Sequence, residues 1–192
     1  MTLTLGILAS SFLNSLGGVA GYFSRPYLGS AAKWSFPSDT TSTTASISIS
    51  QFYRNAGFSN IGIAGYFSDG SYNVQVYKWA FPSDTVTTTT SAPDGMSYHA
   101  GFANTNVAGY FSKGGVTPTV YKWAFPSDSV STTTSAPNNT DNNAGFVNTN
   151  VAGYFSRGNH NAQVYKWAFP SDTVTTTTSA PDGLDKHGGF SN

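Results

Sequence analysis

Along most of the chain, apolar and polar residues alternate in short runs that are broken by Gly, Pro, Asn and Asp. Val120–Phe125 is the clearest run: Tyr121, Trp123 and Phe125 fall on one face, and Val120, Lys122 and Ala124 on the other. A period of two predicts a strand, because successive side chains leave a strand on opposite sides. Upstream, Ala100–Asn104 predicts a short apolar strand, Thr105-Asn106 a turn, and Val107–Ser112 a returning strand. Downstream, Pro126-Ser127-Asp128 carries turn chemistry, since Pro presets φ and Asp caps its own backbone. Val130–Ser135 then predicts a Thr-rich fourth strand whose hydroxyls suit a water-facing edge.

This order of elements recurs. "AGYFS" stands at Ala20–Ser24, Ala64–Ser68, Ala108–Ser112 and Ala152–Ser156, 44 residues apart each time. Val76–Gly95 and Val164–Gly183 are identical, with a looser copy at Val120–Asn138 and a further one at Lys33–Thr44. Four strands in each of four units predict an all-β, four-bladed β-propeller, because one such sheet has two apolar faces and must stack on neighbours. The propeller is expected to span residues 17–192, with phases starting near 21, 65, 109 and 153. Met1–Leu16 is set apart as an apolar arm or extra strand. Gly188–Asn192 repeats the start of a first strand, so it is expected to pair with Val19–Ser24 and close the ring. Phe12–Leu16, followed by Gly17-Gly18, competes for that slot, but the C-terminal strand is in register with the other copies. Near-identical repeats also allow strand exchange into a homo-oligomer.

Composition narrows the function. Nine Lys and Arg balance nine Asp, Glu is absent, and the formal charge is zero. Nucleic-acid binding is not expected, because that affinity comes largely from neutralising phosphates. Four Trp, eleven Tyr and fourteen Phe recur in phase, enough to build a packed core rather than a disordered chain. No Cys is present, which removes disulfides and thiolate metal sites. No apolar run is long enough to span a bilayer. The Leu-rich start lacks a basic region, which makes it a weak signal-peptide candidate.

The order "H-x-GF", "AGYFS", "VYKW-x-FPSDTVTT", "AP" resembles the kelch-type repeat of galactose-oxidase-like propellers, with "YKWAFPSDTV" in the place of the family's Tyr–Trp hairpin. The resemblance covers nearly the whole chain beyond residue 17. The family's double Gly after the second strand is kept only as Gly114-Gly115, and its later Trp is replaced by Val or Thr. Arrays with "GYF", "FPSDT" and "AGF" look like those in marine cyanobacteria and their phages. The resemblance implies a propeller fold. Galactose-oxidase-like chemistry implies a copper site with a Cys-crosslinked Tyr, and sialidase-like propellers imply a cluster of three Arg, whereas Arg25, Arg54 and Arg157 stand in different units at positions that are not equivalent. No acid–base pair stands out, so a non-enzymatic protein without a cofactor or metal is expected.

Differences among the copies point to candidate sites. The turns joining first to second and third to fourth strands hold constant, whereas the other two loops vary. In an up-and-down blade both variable loops emerge at one end, where a rigid scaffold presents them. That face offers Arg25, Tyr27, Asp69, Tyr72, Tyr98, Arg157, His160, Asp185 and Lys186, suited to stacking on and hydrogen bonding to a glycan, or to a protein surface. Unconstrained drift explains the same variation. Asn55, His99, Asn143 and His187 are equivalent positions expected at a channel mouth, where polar side chains solvating a pore are favoured over an ion site. Asp39, Asp84, Asp128 and Asp172 recur with Lys33, Lys78, Lys122 and Lys166, which predicts turn caps and a Lys–Asp pair across each hairpin. The expected protein is a secreted or virion-associated binding module. Its alternative is a purely structural decoration or appendage subunit of a phage particle or surface assembly, docked through Met1–Leu16.

Overall fold

The computed structural model describes residues 20–24, 30–36, 38–44, 54–185 and 188–189. The arm Met1–Leu16 and the pairing of the final strand with Val19–Ser24 lie outside them. The described chain is all-β, with four antiparallel sheets in sequence order. The first sheet has three strands, β1 (Ala20–Ser24), β2 (Ala31–Ser35) and β3 (Thr40–Thr43). The second contains β4 (Gly57–Asn60), β5 (Ala64–Ser68), β6 (Val76–Ala80) and β7 (Thr85–Thr88). The third contains β8 (Gly101–Asn104), β9 (Ala108–Ser112), β10 (Val120–Ala124) and β11 (Ser129–Thr132). The fourth contains β12 (Gly145–Asn148), β13 (Ala152–Gly158), β14 (Asn161–Ala168) and β15 (Thr173–Thr176). No described helix is long and apolar enough to cross a membrane.

Register explains how the sheets stack. Gly65, Gly109 and Gly153 lie directly opposite Trp79, Trp123 and Trp167. With no Cβ opposite the Trp, the sheet surface carries a hollow. Phe58, on the inner strand of the second sheet, fills the hollow of the third, and Phe102 fills that of the fourth; a methyl at Gly109 or Gly153 would fall inside those rings. Trp123 and Trp167 are fully buried as a result, and Trp79 is fully buried in a cluster with Ala31 and Tyr22 of the first sheet. Each such aromatic removes about 150–250 Å² from water, worth roughly 4–6 kcal/mol as an upper figure. The Thr-rich strands β7, β11 and β15 lie on the exposed rim.

The recurrent Lys and Asp do not pair across their own hairpins. Lys33, Lys78 and Lys122 instead bind Asp84, Asp128 and Asp172 of the following sheet, at 2.6, 2.6 and 2.5 Å. Tyr22, Tyr66 and Tyr110 donate to the other oxygen of the same carboxylates, at 2.7, 2.7 and 2.6 Å. Each Tyr is the cross-strand partner of its Lys, so one Lys–Tyr pair grips one Asp. The turn holds each Asp in the left-handed region, with φ of 54–55°, and presents it to the preceding sheet. Burial, then the Asp hydrogen bond, pushes the pKa of these Tyr hydroxyls up, so they stay neutral donors.

The two ends of the stack differ from its interior. Trp34 is 40% exposed although it occupies the position of three fully buried Trp, and Phe146 is 39% exposed where Phe58 and Phe102 are buried. No sheet closes on itself among the described residues.

Candidate functional site

The loop joining the second and third strands has one backbone shape with different chemistry at its tip. In the second sheet Asn73 N donates to Gly70 O at 2.8 Å, and both central residues, Ser71 and Tyr72, have positive φ (53° and 65°). Gly115-Val116 and Asn159-His160 repeat those signs, at 58° and 63°, and 50° and 58°. This is the primed turn that matches strand twist, and it normally takes Gly or Asn at both centres. Here the second centre is Tyr72, Val116 or His160, and all three project into solvent. A β-branched or bulky residue with positive φ is an outlier that costs on the order of 1–3 kcal/mol.

The loop that leads to the next sheet lies alongside. Asn73 bridges to Met96, Thr117 to Thr140 and Asn161 to Leu184; Ser97 then bridges to Gly114, and Asp141 to Gly158, in the following sheet. The two variable loops therefore share one end, linked by backbone hydrogen bonds into a continuous band. Gly95 and Gly183 permit the approach, because a Cβ there would collide with the carbonyls of Tyr72 and His160.

The predicted site residues divide accordingly. Tyr72 and His160 stand at loop tips; His160 Nε2 lies 3.6 Å from Asp185 Oδ2. Tyr98 is half-buried, its ring covered by the Arg54 guanidinium at 4.3 Å, and its N–H donates to Arg54 O at 3.0 Å. It supports the face rather than offering a free ring. Arg157 Nη1 is held by Gln163 Oε1 at 3.3 Å. Asp69 is half-buried; desolvation raises its pKa, partly offset by a hydrogen bond from Asn73. Arg25, Tyr27, Lys186 and His187 lie outside the described residues. Val116 was missed by the sequence reading. Its signal was a β-branched residue aligned with Tyr72 and His160 in a Gly-Gly turn.

Among the described channel-mouth positions, His99 and Asn143 are buried rather than bathed in water. His99 Nε2 is hydrogen-bonded to Ser68 Oγ at 2.6 Å, and Asn143 Nδ2 donates to Ser112 Oγ at 2.9 Å. Each serine also accepts from the backbone N–H opening its own sheet, Ala56 or Ala100. The pair thus ties each inner strand to the sheet before it. Desolvation lowers the His99 pKa to about 3, which keeps the ring neutral. Asn55 opens the second sheet at the equivalent position. No group of three or more His, Cys, Asp or Glu among the described residues is arranged to hold a metal ion.

A cleft of ≈180 Å³ with a mixed polar and apolar lining runs at the opposite end along the inner strands, between Phe58, Phe102 and Phe146.

No family model and no curated protein matches the sequence. Among solved structures the chain is similar to U3-55K, with a TM-score of 0.59 and 15% identity over 86% of this chain and 50% of that one. It is also similar to YjhT, with a TM-score of 0.65 and 11% identity over 86% of this chain and 70% of that one. The chain therefore spans half the length of the first of these proteins, and the likeness is one of fold: a β-propeller-like, all-β stack of sheets.

Proposed function

We propose that this is a non-enzymatic, kelch-like binding module acting outside the cell or on a virion, and that it recognises a glycan through the band of variable loops. One observation carries the reading: a single strained turn is kept in three sheets while its exposed tip changes from Tyr72 to Val116 to His160. Gly at those tips would relieve the strain, so the side chains contribute something other than stability. An exposed tyrosine ring amid polar loop atoms suits stacking on a sugar face.

The test is a glycan array with the full chain, compared with Tyr72→Gly and His160→Gly. Glycine accepts positive φ, so both variants keep the fold and melt no lower than the parent. Tyr72→Gly is expected to weaken sugar binding by about tenfold or more. Absence of binding to every sugar, or unchanged binding by both variants, overturns the glycan reading. Turnover of a bound glycan would replace it with an enzymatic one. A second reading, a structural subunit of a larger assembly, draws on the exposed faces that carry Trp34 and Phe146.

A further inference from the structure

Three sheet-to-sheet interfaces in this chain share one set of parts. The outgoing side supplies a Lys–Tyr pair, and in the second and third sheets an inner-strand Phe; the receiving side supplies a Gly hollow, a Trp, the Phe of the turn and an Asp. Tyr66 and Phe102 show the packing: Tyr66 lies 5.4 Å from Phe125, and Phe102 stacks on Phe155 at 5.6 Å and 8°. The fourth sheet carries the same outgoing side, met among the described residues only along its inner strand, where a Cβ at Gly189 would lie 2.9 Å from Gly145 O and 3.5 Å from the Phe146 ring. Phe146 and Tyr154 are already stacked on each other at 5.1 Å and 8°, as Phe102 and Tyr110 are, yet Phe146 is 39% exposed and Lys166 has no carboxylate partner. The first sheet carries a complete receiving side that is exposed in its turn. Trp34 and Phe36 are 40% and 48% exposed, and Asp39 holds the left-handed turn conformation (φ 52°) of the gripped aspartates without a Lys or Tyr. Among the described residues, a Cβ at Gly21 would meet only Phe36, at 3.8 Å, and no inner-strand Phe stands in its hollow.

From these two faces we infer that the chain assembles head to tail with a second copy of itself, the fourth sheet of one copy receiving the first sheet of the next. Phe146 enters the hollow at Gly21, Trp34 is covered, and Lys166 and Tyr154 grip Asp39. The occupant follows from complementarity of charge and shape: the fourth sheet lacks one Asp turn beside a Gly–Trp hollow, and the first sheet presents one. The contact continues, between copies, the interface already built within the copy. It is heterologous, so it closes into a ring if the rotation per sheet permits and otherwise extends. The inference rests on the sheets and is independent of the loop face.

Sedimentation velocity of the full chain across a micromolar range tests it. The parent is expected to gain mass with concentration, with Trp34 emission shifting to the blue. Asp39→Lys and Lys166→Asp, both at exposed or half-exposed positions, each weaken association on the order of 100-fold. An equimolar mixture of the two regains assembly, because every contact in an alternating array pairs opposite charges. Circular dichroism checks that each variant is folded, and Trp34→Ser provides an uncharged variant with the same expected loss. A parent that sediments as one copy at every concentration overturns the inference; closure of the first and fourth sheets within one chain gives that result. Variants that assemble as tightly as the parent also overturn it.

Discussion

Asp172 is the most heavily used carboxylate in the stack, and its replacement measures what one grip contributes. It accepts from Tyr110 Oη at 2.6 Å, Lys122 Nζ at 2.5 Å and Trp167 Nε1 at 3.2 Å. Burial alone would raise its pKa, but those donors and the Lys122 charge outweigh burial and hold it below the usual carboxylate range. Asp172→Ala strands an ammonium and a hydroxyl between two sheets. A hydrogen bond to a charged group contributes about 1.5–3 kcal/mol, and the pair is partly exposed, so the total loss is about 3 kcal/mol after discounting for solvent. Asp172→Asn keeps the shape and the Tyr110 bond and is expected to lose about 1–2 kcal/mol. The comparator lies within the same chain: Asp39 has the same turn and nearly the same φ but no grip. Asp39→Ala is expected to cost about 1 kcal/mol, the share of the left-handed turn that both substitutions carry. Urea unfolding followed by Trp fluorescence, at a dilution where sedimentation finds one copy, separates these values as a midpoint shift on the order of 1 M for Asp172→Ala. Because the folded pKa of Asp172 is depressed, the contribution is complete above the unfolded value near ~3.9 and fades as pH falls through the folded value. The penalty of Asp172→Ala therefore shrinks in acid. Equal losses for Asp172→Ala and Asp39→Ala would refute the grip, leaving only turn chemistry.

Two further outcomes follow from the same packing. Gly109→Ala drives a methyl into the Phe58 ring and is expected to lose about 1–3 kcal/mol or more, whereas Gly21→Ala, with Phe36 at 3.8 Å, is close to neutral; paired melting curves check the contrast. His99 is buried neutral with a pKa of about 3, so between that value and the ordinary ~6.5 only the unfolded chain takes up its proton. Stability is then expected to fall by up to about 1.4 kcal/mol per pH unit below pH ~6.5, a slope that His99→Asn, the residue found at position 143, reduces. A pH series of denaturant midpoints for the two proteins reads the difference.

The amino-acid sequence determined the strands, the repeat and the grouping of variable loops, because these depend on local quantities. A period of two, a Pro-Ser-Asp turn and a 44-residue return are visible in neighbouring residues, and Trp79, Trp123 and Trp167 were legible as filling between sheets. The tertiary structure decided which copies touch. Lys78 and Asp84 lie six residues apart in sequence, yet Lys78 binds Asp128. Charge pairing is set by which sheet each side chain faces, and identical copies leave that choice open in a linear reading. The same held for His99 and Asn143: polarity suggested water, whereas stacking buried them against Ser68 and Ser112. The strain at Val116 also appeared only in three dimensions, because it belongs to a backbone angle rather than to a residue type. Four similar sequences specify one interface; the stack determines that Trp34 and Phe146 at its ends are left without it.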